Sequence, residues 1–253
     1  MENLHELCRL RATLESFAAL RLRDHPQRET IFKSLHGHLK NLQKVAQRSN
    51  YIEFNRVDMR LHRELVAACG PPELVQSWDL VAAGLEPWLT DNRRAHWPSL
   101  MALYREHIYL LEAWGSHDPW VVEEATRQHL EAGWYRAAIK DGKIPSEGDS
   151  LDRVASFLST HHASRVSMEW VAKNVGYVST SHMNRLFRKQ FGKSPYAWLR
   201  QVRMDRAAQL LSSTEHNVAQ VGRMVGYKNA SHFVRDFRDA FQKTPKQFHL
   251  ARG

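Results

Sequence analysis

Residues 175–195 read VGYVSTSHMNRLFRKQFGKSP, and residues 225–245 read VGYKNASHFVRDFRDAFQKTP. At an offset of 50 the two stretches share Val-Gly-Tyr and then a series of single positions. These are Ser181/Ser231, His182/His232, Arg185/Arg235, Phe187/Phe237, Arg188/Arg238, Phe191/Phe241, Lys193/Lys243 and Pro195/Pro245, for 11 identities in 21 positions. Common helical composition would not keep glycine, aromatic and proline positions together, so the pair reads as an internal duplication.

Each copy reads as helix, tight turn, helix. In the first, residues 167–175 make a short helix, Gly176 ends it, Ser179 or Thr180 caps the next, and residues 181–190 form that helix. In the second, residues 218–225 end at Gly226, Asn229 is the cap, and residues 231–241 follow. A glycine before a short turn lets two helices meet steeply, as a helix-turn-helix requires. The outer helix would then enter a major groove with its N-terminal side chains. Phe187 and Phe191, like Phe237 and Phe241, are four apart and would anchor that helix to its core. Ser181, His182, Asn184 and Arg185 in one copy, and Ser231, His232 and Arg235 in the other, are the candidates for base edges, Arg suiting guanine and Asn adenine. Arg188, Lys189 and Lys193, with Arg238 and Lys243, are placed nearer the phosphates.

Continued outward, the run VAKNVGYVSTSHMNRLFRKQFGKSPYAWLRQVRMDRAAQLL and the later VAQVGRMVGYKNASHFVRDFRDAFQKTPKQF resemble the AraC/XylS DNA-binding domain. The FxxxFxxxP endings, the RxxRAxxLL helix and the Gly-Tyr before the second recognition helix carry the resemblance, over about residues 151–250. It implies two helix-turn-helix units joined by a long helix, matched here by residues 196–211, entering adjacent major grooves. Two positions depart: Gly222 stands where that family usually has Ala, which would loosen its helix slightly, and Gln242 where it usually has Gly.

Charge agrees with this division. The net charge is +9, but residues 151–253 carry 17 Lys/Arg against 6 Asp/Glu, and residues 1–150 carry 19 against 21. A basic segment beside a near-neutral one is the pattern of a nucleic-acid reader attached to a sensing or dimerising module. No stretch is long and apolar enough for a membrane span. The N-terminus lacks the basic start and apolar run of a signal peptide. Cys8 and Cys69 have no CxxC spacing. The expected setting is a reducing cytoplasm.

The first 139 residues read as helices only, at about 4–22, 30–48, 52–68, 72–90, 99–114 and 121–139, with Asp118 and Pro119 as N-cap and first-turn pair. The expected fold is all-α: an antiparallel bundle over 1–139, a linker over 140–150 and the paired helix-turn-helix over 151–253. Asp58 and His62 share one helix face, and with His107 and His129 they offer a carboxylate and three imidazoles, a donor set for a divalent transition metal. Spacing alone is weak here, because the chain has 15 His.

The string DxxLH at 58–62, then EHxxLLEA at 106–113, Asp118 and His129, with RATLE at 11–15, resembles the ligand-binding FCD domain of FadR-like GntR regulators, over about 4–138. That resemblance implies Asp58, His62, His107 and His129 as metal ligands, Zn, Ni, Co or Mn being the expected metals. It also implies a small carboxylate effector, with Arg11 facing its cavity. Leu61, Pro71 and Ile108 depart from the usual Phe, Asn and Arg.

The whole reads as a cytoplasmic, homodimeric transcription regulator, activator or repressor, that binds double-stranded DNA under control of a small organic acid. The alternative is a regulator whose bundle only dimerises or binds a partner protein. An enzyme fits poorly. Alkyl transfer needs a reactive, metal-clustered Cys set, which two separated cysteines do not supply. A metal hydrolase needs a positioned base, and Glu106 is turned ~100° from His107 by helical spacing.

Overall fold

The computed structural model describes residues 2–97, 99–141 and 147–250, which form helices with no strand among them. They divide into two compact units, Met1–Ser146 and Glu147–Gly253.

The first unit is a bundle of six helices: α1 (Glu2–Leu22), α2 (Arg28–Gln47), α3 (Tyr51–Cys69), α4 (Pro72–His96), α5 (Leu100–Trp114) and α6 (Pro119–Lys140). Local signals set most boundaries. Asn50 accepts from the Glu53 amide, Ser99 from Ala102, and Asp118 from Trp120, with Pro119 in the first turn of α6. Helix α4 runs six residues past the expected end at 90, through Pro87. Proline would favour a break there. Tertiary contacts beyond it hold the helix: the Asn92 side chain donates to the Gly133 carbonyl at 3.0 Å, and buried Arg93 reaches α3. Helix α1 packs on α6, α3 and α4, while α2 packs on α3 and α5. Leu35, Leu42, Phe54, Leu61, Leu65, Trp78 and Trp114 fill the centre.

In the second unit, α7 (Glu147–Thr160) begins inside the segment expected as linker, so residues 147–150 are helical, and 142–146 lie outside the described residues. There follow α8 (Met168–Val171), a π-helical turn (Ala172–Gly176), α9 (Thr180–Phe191), α10 (Pro195–Ser213), α11 (Val218–Met224), α12 (Ala230–Phe241) and α13 (Pro245–Leu250). Helices α9 and α12 are the outer helices of the two repeats, and α10 joins the two copies.

The copies turn differently. In the second, Gly226 takes the left-handed conformation at φ 86, and in the first the π turn passes that role to Tyr177, at φ 55. Gly176 is instead closely packed, since a Cβ there would meet Val154 at 3.0 Å. The two family departures also gain physical content. A Cβ on Gly222 would come within 3.0 Å of the Phe233 ring, so this glycine makes room for a ring. The first copy has Ala172 and Met183 at the equivalent places, a smaller side chain against a larger backbone substituent. Gln242 ends α12 at φ 55, where α9 ends on Gly192 at φ 68, a conformation that glycine adopts without strain.

Candidate metal centre and nucleic-acid interface

Helix α3 carries Asp58 and His62 one turn apart, α5 carries His107, and α6 carries His129. One ligand atom from each lies within 4.8 Å of the others. The His107 and His129 ring centroids are 4.4 Å apart, and those of His62 and His129 5.3 Å.

Hydrogen bonds fix which nitrogen faces inward. His62 Nδ1–H donates to Glu15 Oε2 at 2.6 Å, and His107 Nδ1–H donates to the Leu103 carbonyl at 2.8 Å. Each neutral ring then turns a bare Nε2 toward the cluster. His62 Nε2 is buried without a hydrogen-bond partner, as is His129 Nδ1. His107 Nε2 sits 2.5 Å from Asp58 Oδ1. A lone pair and a carboxylate at that distance repel unless a proton or a cation lies between them. These residues therefore fit a divalent cation: three imidazole nitrogens and one carboxylate oxygen converge, and orphaned acceptors face one another.

The surroundings prepare the same donor set. Burial holds His129 well below the ordinary histidine value. Burial likewise lowers His62, against the pull of Glu15. Burial opposes ionisation of Asp58, but the Arg93 guanidinium outweighs it, and the carboxyl lies well below its usual range. Arg93 donates to Asp58 Oδ2 at 2.7 Å and also to Asn55 Oδ1. Glu15 is held down to about 2: burial works against it, and His62, Arg11 and the Trp78 indole stabilise the carboxylate. A carboxylate behind a ligating imidazole orients the ring and raises its basicity.

Arg11 lies in this layer, 2% exposed, with Nε on Glu15 Oε1 at 2.7 Å and Nη2 unpartnered. A cavity of about 20 Å³ touches Arg11, Arg93, Trp97, Leu103 and His129, room for roughly one water. Ile108 is not in this layer; it lines an outer groove between α2 and α5 with Phe32, Leu39 and Tyr104. Glu106 points elsewhere too, to Arg136 at 3.0 Å and the Trp97 indole.

Glu15, Asn55, Arg93 and Trp78 were not singled out from the sequence as site residues. Only the i,i+4 pair Arg11/Glu15 left a local signal. Arg93 comes from beyond the proline of α4, where no spacing rule reaches back to Asp58.

On α9, Ser181, Arg185, Arg188 and Lys189 are exposed, while Met183, Leu186 and Phe187 face the core. On α12, Ser231, His232, Arg235 and Arg238 are exposed, over Phe233, Asp236 and Phe237. Both aromatic anchors are in place: Phe187 meets Phe191 at 4.9 Å, and Phe237 meets Phe241 at 4.7 Å. Two polar candidates are drawn back. His182 is half-buried and accepts from Arg185 at 2.9 Å. Asn184 is half-buried and donates to the Thr180 carbonyl at 2.9 Å.

Residues 6–132, half of the chain, match the FCD domain family, and residues 171–250 match the helix-turn-helix domain family. The chain is 32% identical over 75 residues to the lactose operon transcription activator of Staphylococcus xylosus, a match covering 30% of this chain and 26% of that protein. It thus spans about a quarter of that relative's length. Among solved structures, the C-terminal domain of AraT, a response regulator from Geobacillus stearothermophilus, is 27% identical, with a TM-score of 0.40 over 43% of this chain and 89% of that one. An AraC-type transcriptional regulator from Chromobacterium violaceum is 29% identical, with a TM-score of 0.39 over 41% and 92%. No helix among the described residues is long and apolar enough to cross a membrane.

Proposed function

The chain belongs to the FCD domain family and carries an AraC-type helix-turn-helix domain at its C-terminal end, and from that premise we propose that it is a sequence-specific DNA-binding transcription regulator whose FCD unit holds a divalent metal and answers to a small carboxylate. The observation that carries the first half is the duplicated helix-turn-helix with a basic face on both recognition helices. Arg185 and Arg235 are the base readers; Arg188, Lys189 and Arg238 position the helices on phosphate. The protein acts as a homodimer on paired half-sites.

The second half is supported by the convergence of Asp58, His62, His107 and His129, with His62 Nε2 and His129 Nδ1 buried and unpartnered. These four residues would hold the metal, which supplies a Lewis-acidic anchor for an anion. The unpaired Nη2 of Arg11 supplies a second anchor. Arg93 keeps Asp58 ionised, and Glu15 keeps the His62 ring turned. A cavity of about 20 Å³ favours a second reading, in which the metal itself is the signal and no organic ligand enters. The acid reading requires the wall at Trp97 and Leu103 to move.

The test is a pair of titrations with the full chain. Promoter fragments from the source genome are screened by gel shift, and the bound fragment is titrated with chelated protein, metal-loaded protein, and metal-loaded protein with small di- and hydroxy-acids. Affinity should fall steeply with salt, because phosphate contacts release counterions. A coupling of ~1–3 kcal/mol changes DNA affinity about 5–150-fold. If an acid moves it, the acid is the effector; if metal alone moves it, the second reading holds. Equal affinity in all three states would remove the sensing role, because a ligand with no preference between states shifts nothing. Sedimentation at micromolar concentration checks the dimer.

A further inference from the structure

The two recognition helices are built on one plan, and they differ beneath their base-reading arginines. Under Arg185 lies Leu186, 5% exposed; under Arg235 lies Asp236, 7% exposed. A buried carboxylate on a face that meets phosphates is costly unless its charge is used. The first copy reaches the same fold with leucine, so folding does not require the acid.

The Asp236 carboxylate is fully engaged. Its Oδ1 accepts from Arg235 Nε at 3.2 Å and Nη2 at 3.1 Å, and its Oδ2 accepts from the Tyr227 hydroxyl at 2.9 Å. Burial, and then this hydrogen bond, raise the Tyr227 phenol well above its ordinary value, so it remains a donor. Tyr227 is itself braced. The Arg203 guanidinium, from α10, lies 5.6 Å from the tyrosine ring centroid and donates to the His162 and Ser164 carbonyls at 2.7 and 3.0 Å. A chain of contacts therefore runs from the end of α7, through α10 and the turn before α12, to the arginine on the DNA face. In the first copy, among the described residues, Arg185 is paired with half-buried His182 on its own helix, at 2.9 Å, and with no carboxylate.

We propose that Asp236 is a positioning residue that sets base preference in the second helix-turn-helix unit, holding Arg235 by its Nε edge so that the terminal edge of the guanidinium is presented to guanine. The proposal rests on the reading of Arg235 as a base contact. Guanine offers O6 and N7 side by side in the major groove, and a guanidinium pairs with both through its terminal nitrogens. A guanidinium held before binding loses less rotamer freedom on contact. Holding one rotamer-rich side chain is worth roughly 2–12-fold in affinity. The first copy lacks this hold, so the second should be the more selective half of the site.

The experiment is selection from a randomised duplex library with the full-length protein, followed by affinities for the selected site, single-base variants of it and scrambled DNA. The proteins are wild type, Arg235→Ala, Asp236→Asn, Asp236→Leu and Tyr227→Phe. Arg235→Ala marks the base pair read by that residue. Asp236→Asn and Tyr227→Phe should lower discrimination at that pair by about 2–12-fold. Both should leave the first copy's preferences unchanged; Asp236→Asn, which removes an acid near phosphate, should leave scrambled-DNA affinity unchanged or tighter, and Tyr227→Phe, which keeps the acid, should leave it unchanged. Asp236→Leu, which copies the first repeat, should melt no lower than wild type and show the same loss of discrimination. If Asp236→Asn and Asp236→Leu keep full discrimination at the pair that Arg235→Ala loses, Asp236 only fills space and the proposal fails while the base reading stands. If Arg235→Ala changes no preference, the base reading fails and takes the proposal with it.

Discussion

The two units spend their charged residues in opposite ways. The FCD unit buries Arg11, Glu15, Asp58, His62, Arg93, His107, Glu131 and Arg136 among its core helices. In the helix-turn-helix unit, His161 and Asp236 are the buried ionisable groups among the described residues, and the remaining charged side chains are exposed or half-buried. Burying a charge costs several kcal/mol and is sustained only by close partners. A bundle built that way holds its polar centre in one geometry, which suits a site. A unit with an apolar core and an exposed basic face is stable without its ligand, which suits an electrostatic reader.

The largest expected effect of this contrast is on stability in the first unit. Arg93→Ala leaves Asp58 buried with its main cationic partner gone, and should cost about 3–5 kcal/mol. Amide exchange, which reads each unit separately, should show that loss confined to residues before 142. A loss under about 1 kcal/mol would mean the buried charges are not coupled as drawn.

The second effect runs through acid and belongs to the other unit. Burial, with a smaller contribution from His162, lowers His161 from 6.5 to about 3. The unfolded chain therefore takes up a proton near pH 6.5 that the folded unit refuses until about pH 3. This stability is fully present above pH 6.5 and is lost as pH falls toward 3, on the order of 5 kcal/mol in all. Melting followed from pH 7 to 4 should show the helix-turn-helix unit weakening, and His161→Gln should flatten that slope.

Arg185→Ala inverts the Arg93 result. It should cost about 1–3 kcal/mol of affinity for the specific site and change stability by no more than about 0.5 kcal/mol. Equal losses on specific and random DNA would make Arg185 a phosphate contact.

The smallest effect separates the two copies. Gly222→Ala gains helix propensity but drives a methyl into Phe233, for a net loss of about 1 kcal/mol. Adding Phe233→Met, which reproduces the Ala172/Met183 pair of the first copy, should restore it. A single variant as stable as wild type would show that the ring moves aside freely.

Legibility in the sequence follows the same division. The helix-turn-helix unit keeps apolar residues in and charges out, so period, caps and glycines disclose its helices and its outward arginines. Asp236 escaped that reading because it breaks the pattern, a charge at a position that in the first copy is leucine. In the FCD unit the ligand set was expected from family resemblance, since spacing on separate helices carries no register between them. Glu15, Asn55 and Arg93 come from α1, α3 and α4 and meet only in three dimensions. The six-helix pattern is legible from its breaks, except at the end of α4, where contacts made by Asn92 and Arg93 carry the helix past residue 90 to His96. The π turn before Gly176 left no local signal, and it moves the left-handed residue onto Tyr177.

We propose that the buried polar centre of the FCD unit is built around a metal. Elemental analysis of the full chain, purified without chelator, tests it most directly, with His107→Ala beside it. Wild type should hold a single divalent transition metal per chain, the variant should lose it, and chelation should lower the melting temperature of the wild type and leave that of the variant unmoved. Wild-type protein that holds no metal, takes up none of Zn, Ni, Co or Mn, and melts at one temperature with and without chelator would contradict it.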